Sequence, residues 1–187
     1  MRIIKLNEQS RANILADLLK RDPNNYSAYK DTVQAIVDDV RARGDEALFE
    51  YTKKFDGAEL SADNIRVTQA EIQEALSQVD PNLLAVMKKS MKNIREYHEK
   101  QKQYSWFDSK PNGTILGQKV TALSSVGVYV PGGKAAYPSS VLMNIIPAEV
   151  AGVEKIVMVT PPGKDGKVNP VTLIAAHLAG ATEVYKV

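Results

Sequence analysis

The stretch Gly127-Val128-Tyr129-Val130-Pro131-Gly132-Gly133-Lys134 gathers the residue types best suited to receiving a ligand. An apolar run leads into it, and Gly132 and Gly133 remove side chains where a ligand could meet bare backbone. If the run is a parallel strand, this loop sits at its carboxyl end, where open α/β sheets bind ligands. It is not a phosphate-binding P-loop. That pattern needs glycine at 128 and Ser or Thr at 135, where this chain has Val128 and Ala135, and the dinucleotide fingerprint G-x-G-x-x-G is absent too. Two readings stay open: a tight turn whose glycines serve geometry alone, or a loop that brings backbone up to a ligand. Ser139 and Ser140 follow at the expected start of the next helix. They read as helix caps, or as hydroxyls and amides turned toward a polar or anionic ligand.

The remaining chemistry-bearing residues are sparse. His98 and His177 are the only histidines, and neither has a second histidine at the spacing of a zinc-binding helix. Both read as structural or solvated. Carboxylates are scattered along helices without the pairing that acid/base work requires. The absence of cysteine excludes disulfides, thiolate metal sites and a cysteine nucleophile. From the residues alone, then, there is a ligand crevice, with no catalytic residue and no metal ligand to assign. With 24 basic and 22 acidic residues the net charge is only +2, and no basic cluster calls for nucleic acid or a membrane surface. No apolar run suggests a signal peptide or a membrane span, so the expected location is the cytoplasm.

These residues need elements to hold them, and the pattern changes near residue 104. Residues 1–103 read as a helical region and residues 104–187 as a hairpin followed by an incomplete nucleotide-binding-like α/β domain. In the first part Ile14, Leu15, Leu18 and Leu19 mark a helix stopped at Asp22-Pro23. Val33, Ile36, Val37 and Val40 mark a second, which Gly44 interrupts before Ala47, Leu48 and Tyr51 resume the apolar face. Thr68-Gln69-Ala70-Glu71 is a capping box. Asp80-Pro81 opens a long helix with a stripe of Leu84, Met87, Met91, Ile94 and His98. In the second part, Pro111-Asn112-Gly113 is the turn of a hairpin between 104–107 and 114–120. Strands then follow at 126–130, 155–160 and 183–186, with helices at about 139–151 and from Asn169-Pro170 to Gly180 between them. This is one half of a doubly wound sheet. Because the chain ends on Val187 in the third strand, an exposed edge and a truncated protein are expected.

Two stretches carry a family resemblance. One is Arg41-Ala42-Arg43-Gly44-Asp45-Glu46-Ala47-Leu48 with Tyr51 and Lys54-Phe55-Asp56. The other is Ser125 to Gly133, continued by Ser139 to Met143, Pro147-Ala148, Ala151-Gly152, Val159-Thr160-Pro161-Pro162 and Ala179-Gly180-Ala181. Together they resemble histidinol dehydrogenase over nearly the whole chain. The resemblance implies an α/β fold in which the helical amino-terminal region precedes an incomplete Rossmann-like parallel sheet of aldehyde dehydrogenase-like kind. It implies oxidation of L-histidinol to L-histidine through an aldehyde, with two NAD molecules used in succession and one zinc ion per site in a homodimer. On that resemblance Tyr129 contacts NAD, Pro131 and Pro161 line the same site, and Ser139 and Ser140 lie near the substrate pocket. The family's zinc ligands and its glutamate-histidine catalytic pair match no residue here, so this segment alone is expected to be inactive. The competing reading is a stand-alone, non-catalytic nucleotide-binding or pairing module.

Overall fold

The structure, a computed structural model, describes residues 5, 7–12, 26–132 and 136–187. The helix expected around Ile14 to Leu19, its stop at Asp22-Pro23, and Gly133 with Lys134 lie outside the described residues. The chain divides into two compact units between Gly44 and Asp45. In the first, helix α1 spans Ser27–Arg43 and ends at Gly44, whose φ of +62° suits a residue without a side chain. Its N–H closes the last turn on the Val40 carbonyl.

The second unit opens with α2 (Asp45–Asp56), whose first turn carries Asp45 and Glu46 where the helix dipole favours acid. Helices α3 (Gln69–Gln78) and α4 (Pro81–Glu99) follow. The hairpin β1 (Trp106–Ser109) and β2 (Ile115–Gln118) comes next, then β3 (Ser125–Tyr129), α5 (Pro138–Val150), β4 (Lys155–Thr160), α6 (Pro170–Ala179) and β5 (Glu183–Lys186). The change from helical to strand pattern near residue 104 therefore falls inside this unit.

Strands β3, β4 and β5 are parallel and lie in that order, so both crossovers move the same way across the sheet. Right-handed crossovers then put α5 and α6 on one face, where they pack against each other. The alternation of the strands decides what that face buries. Val128, Ile156, Met158, Thr160, Val184 and Lys186 point into the core, while Tyr129, Val157, Val159 and Tyr185 point the other way. Val141, Leu142, Ile145 and Ile146 of α5 and Leu173, Ile174 and Ala176 of α6 fill the helix side. A second helical layer covers them, with α3 on α6 and α4 on α5. Met87 is the fully buried member of the α4 stripe, and Leu84, Met91 and Ile94 are half-buried beside it. Arg95 of α4 pairs with Glu149 of α5.

The local stop and start signals take their expected form. Thr68 Oγ1 accepts from the Glu71 N–H (3.2 Å) while Glu71 Oε2 accepts from the Thr68 N–H (2.8 Å). Replacing Thr68 by alanine is expected to lower the unfolding free energy by about 1 kcal/mol in urea denaturation. Asp80 caps α4 through the Asn82 N–H, and Asn169 caps α6 through the N–H groups of Val171 and Thr172.

Two expectations are corrected. Neither Ser139 nor Ser140 caps α5. The cap position is Tyr137, without a side-chain cap bond, because Pro138 takes the first helical position and moves both serines inside the helix. The outer edge of β5 is not bare either. Residues 65–67 run antiparallel along it, with Val67 N–H donating to Val184 O and Lys186 N–H to Ile65 O, both at 2.9 Å.

Candidate functional site

The carboxyl ends of β3 and β4 bring three of the candidate residues together. Tyr129 closes β3 in register with Val159, and the next N–H, that of Val130, donates to Val159 O at 3.0 Å. Val128 and Val130 are buried on either side of it, so the alternation turns Tyr129 outward, 63% exposed, on the face away from α5 and α6. Pro131 continues the strand line and is exposed, and Pro161 stands at the matching point two residues past Val159, half-buried. Between them Gly132 lies close against the neighbouring loop. A Cβ at Gly132 would stand 3.0 Å from the Pro161 carbonyl oxygen and 3.4 Å from its Cδ.

On the helix side of the same strand ends a crevice of about 460 Å³ opens. Gly132 and Pro161 form its rim, Thr160 belongs to its floor, and Glu71, Glu74, Lys167 and Asn169 contribute its polar walls. Tyr129 and Pro131 are not among its lining residues, so the candidate residues straddle the sheet edge rather than share one cavity. Ser139 and Ser140 lie in the first turn of α5, exposed and half-buried respectively, and neither lines the crevice.

The electrostatics of the crevice are settled largely by ion pairs. Lys167 Nζ meets Glu74 at 2.6 Å, and this hydrogen bond holds the ammonium pKa above its ordinary value. Beneath, Lys186 is only 3% exposed and donates to Glu71 Oε1 at 2.7 Å. Glu71 therefore serves two partners, since its other oxygen belongs to the Thr68 capping box. Burial alone would push its carboxyl pKa up. The Lys186 ammonium and the Thr68 N–H and hydroxyl outweigh that and hold it below the ordinary 4.5. Asn169 occupies two of the first amides of α6, so that helix end is already satisfied where it meets the crevice.

Sequence reasoning did not single out Lys186, although a signal was present. Val184 points inward, so by the two-residue repeat of a strand Lys186 must as well, and a buried lysine requires a carboxylate. Glu71 was legible only as a cap.

His98 Nδ1 lies 2.7 Å from Gln101 Oε1 on the surface, and His177 lines a separate crevice with Arg66 and Glu183. Among the described residues no group of three or more His, Cys, Asp or Glu could hold a metal ion. Among the same residues no helix is long and apolar enough to cross a membrane. What remains is a wall: an exposed aromatic ring, two rigid prolines and a close backbone contact at the carboxyl end of a parallel sheet.

The arrangement is that of an α/β protein, a class of fold in which ligands bind at the carboxyl ends of the strands. The histidinol dehydrogenase family model matches residues 19–187. Histidinol dehydrogenase of Bacillus subtilis (strain 168) is 58% identical over 155 residues, covering 83% of this chain and 36% of that protein. That of Clostridium acetobutylicum is 48% identical over 187 residues, all of this chain and 43% of its own length. The crystal structure of histidinol dehydrogenase from Elizabethkingia anophelis superposes with a TM-score of 0.78 at 35% identity, over 84% of this chain and 36% of that one. The chain belongs to the histidinol dehydrogenase family. It spans well under half the length of these relatives.

Proposed function

We propose that this chain supplies the amino-terminal part of an NAD-dependent, zinc-containing histidinol dehydrogenase, which oxidises L-histidinol to L-histidine through an aldehyde in histidine biosynthesis. The observation that carries the reading is the family match over residues 19–187, joined to the meeting of Tyr129, Pro131 and Pro161 at adjacent strand ends. The same reading gives the enzyme an aldehyde dehydrogenase-like sheet, a homodimeric state and a cytoplasmic location.

NAD, when bound, supplies the hydride acceptor. The exposed ring of Tyr129 offers a flat face to one of its aromatic groups. Pro131 and Pro161 are stiff and carry no N–H, so they shape the wall without competing for polar groups. Ser139 and Ser140 stand at the first turn of α5, where hydroxyls suit a polar substrate such as L-histidinol. Zinc finds no ligand set among the described residues.

The test uses the protein made from its native gene. Its intact mass should exceed the 20.5 kDa of this chain, and with L-histidinol it should reduce NAD. Tyr129→Ala should raise KM for NAD about tenfold with little change in kcat, the signature of lost ground-state binding. No NAD reduction with L-histidinol by a folded, zinc-loaded protein would overturn the reading.

A further inference from the structure

We propose that Gly132 is a positioning residue for the cofactor wall, setting the separation between Pro131 and Pro161 by the absence of its side chain. The inference rests on the functional reading above, which assigns Tyr129, Pro131 and Pro161 to NAD. It goes further by naming what holds them in place.

The contact in question is between two loops. The Cβ of any other residue at 132 would stand 3.0 Å from the Pro161 carbonyl oxygen, with Pro161 Cδ at 3.4 Å and Cβ at 3.5 Å behind it. One side must give, and the surroundings decide which. The Pro161 carbonyl belongs to a fixed segment. Val159 O accepts from Val130 N–H at 3.0 Å, Thr160 O accepts from Val187 N–H at 3.1 Å, and Thr160 and Pro162 are buried. Just beyond, Gly163 N–H donates to Lys167 O at 2.8 Å. Residues 131 and 132 lie past the last ladder bond of β3, and among the described residues no backbone bond holds them. A methyl at 132 therefore displaces the Pro131 side and leaves the Pro161 side where it was. The wall widens, and Tyr129 loses the neighbour that faces a ligand with it.

Two other glycines, Gly127 and Gly163, do not share this constraint. A Cβ at Gly127, on β3, would meet nothing within 4 Å, and one at Gly163 would meet the end of the Asp165 side chain at 2.8 Å, which can swing away, with Lys167 O at an ordinary 3.5 Å. Gly117 of β2 is tighter still, against the Trp106 carbonyl of β1, but that contact lies in the hairpin; at Gly132 the obstacle is a backbone atom of the opposite wall. The shift required is a few tenths of an ångström, and binding groups must be held to within about 0.5 Å of their productive geometry.

The experiment compares Gly132→Ala and Gly132→Val with the parent in the full-length holoenzyme, using steady-state kinetics with L-histidinol saturating and NAD varied. The expected result is a KM for NAD raised about fivefold by alanine and further by valine, with kcat within about twofold and the thermal midpoint nearly unchanged for alanine. Pro161→Gly loosens the opposing carbonyl, so in that background Gly132→Ala should add much less than it does alone. That non-additivity is readable even where valine prevents folding. An unchanged KM for NAD in Gly132→Ala, or effects that multiply independently with Pro161→Gly, overturns the proposal. If Tyr129→Ala raises KM for NAD while Gly132→Ala does not, the functional reading stands and the positioning role falls. If the parent enzyme does not use NAD, both fall.

Discussion

Replacing Lys186 by methionine is expected to cost the protein about 3 kcal/mol at neutral pH, the low end of what breaking a buried ion pair costs. The low end applies because Glu71 keeps some contact with solvent, its side chain being 21% exposed against 4% for Lys186. Methionine fills most of the space of the lysine stem. The loss thus arises chiefly from leaving the Glu71 carboxylate beside a thioether with only Thr68 to satisfy it. The pH dependence separates this cause from simple misfit. The folded-state pKa of Glu71 lies below 4.5, so the unfolded chain takes up its proton at a higher pH than the folded one. The stabilisation from this group is therefore complete above about pH 5 and fades as the pH falls through the folded value. In Lys186→Met the depression is weakened, and the difference from the parent should shrink toward pH 3. Urea unfolding at pH 7 and at pH 3.5 measures both quantities. An equal deficit at the two values would mean that packing, not charge, accounts for the loss.

Truncation of Ile174 to alanine should be as damaging, at about 3–4 kcal/mol, for a different reason. Ile174 is fully buried in α6, in the core formed by the sheet and the second helical layer. Three heavy atoms removed there leave a space that the surrounding elements cannot close without moving. Val86 on α4 is the contrast. It is 63% exposed, and Val86→Ala should change stability by no more than about 0.5 kcal/mol, since little apolar surface returns to water. Calorimetry on the two variants reads the difference directly, and a small deficit for Ile174→Ala would show that the core relaxes around the gap.

The elements that sequence reasoning located are those written in local chemistry. Thr68 with Glu71, Asp80 with Pro81, Asn169 with Pro170, and Gly180 at the end of α6 each fix a helix end through bonds within four residues. The strands were legible from apolar alternation, although the hairpin strands begin and end later or earlier than the apolar residues suggest. What escaped notice depends on distance. Residues 65–67 have no strand pattern of their own and pair with β5 only because the chain folds back after more than a hundred residues. Lys186 and Glu71 are likewise 115 positions apart. Ser139 and Ser140 were open to a capping reading because serine favours caps, yet Pro138 carried the stronger signal and placed the helix start one residue earlier. Of the candidate site, the identity of Tyr129, Pro131 and Pro161 came from resemblance, whereas their adjacency follows from the register of β3 and β4.

The cover that residues 65–67 lay over β5 makes the sheet asymmetric for growth. One flank is occupied, and among the described residues the outer flank of β3 has no partner. A fourth strand would find its open flank beside β3. A right-handed crossover reaching that side from β5 reverses the direction of winding and lays its helix over the face that carries Val157, Val159 and Tyr185. Such a reversal splits the loops at the strand tips to opposite sides and leaves a gap beside the strand where it happens. With a fourth strand on that flank the gap would open beside β3, and the residue at its tip is Tyr129.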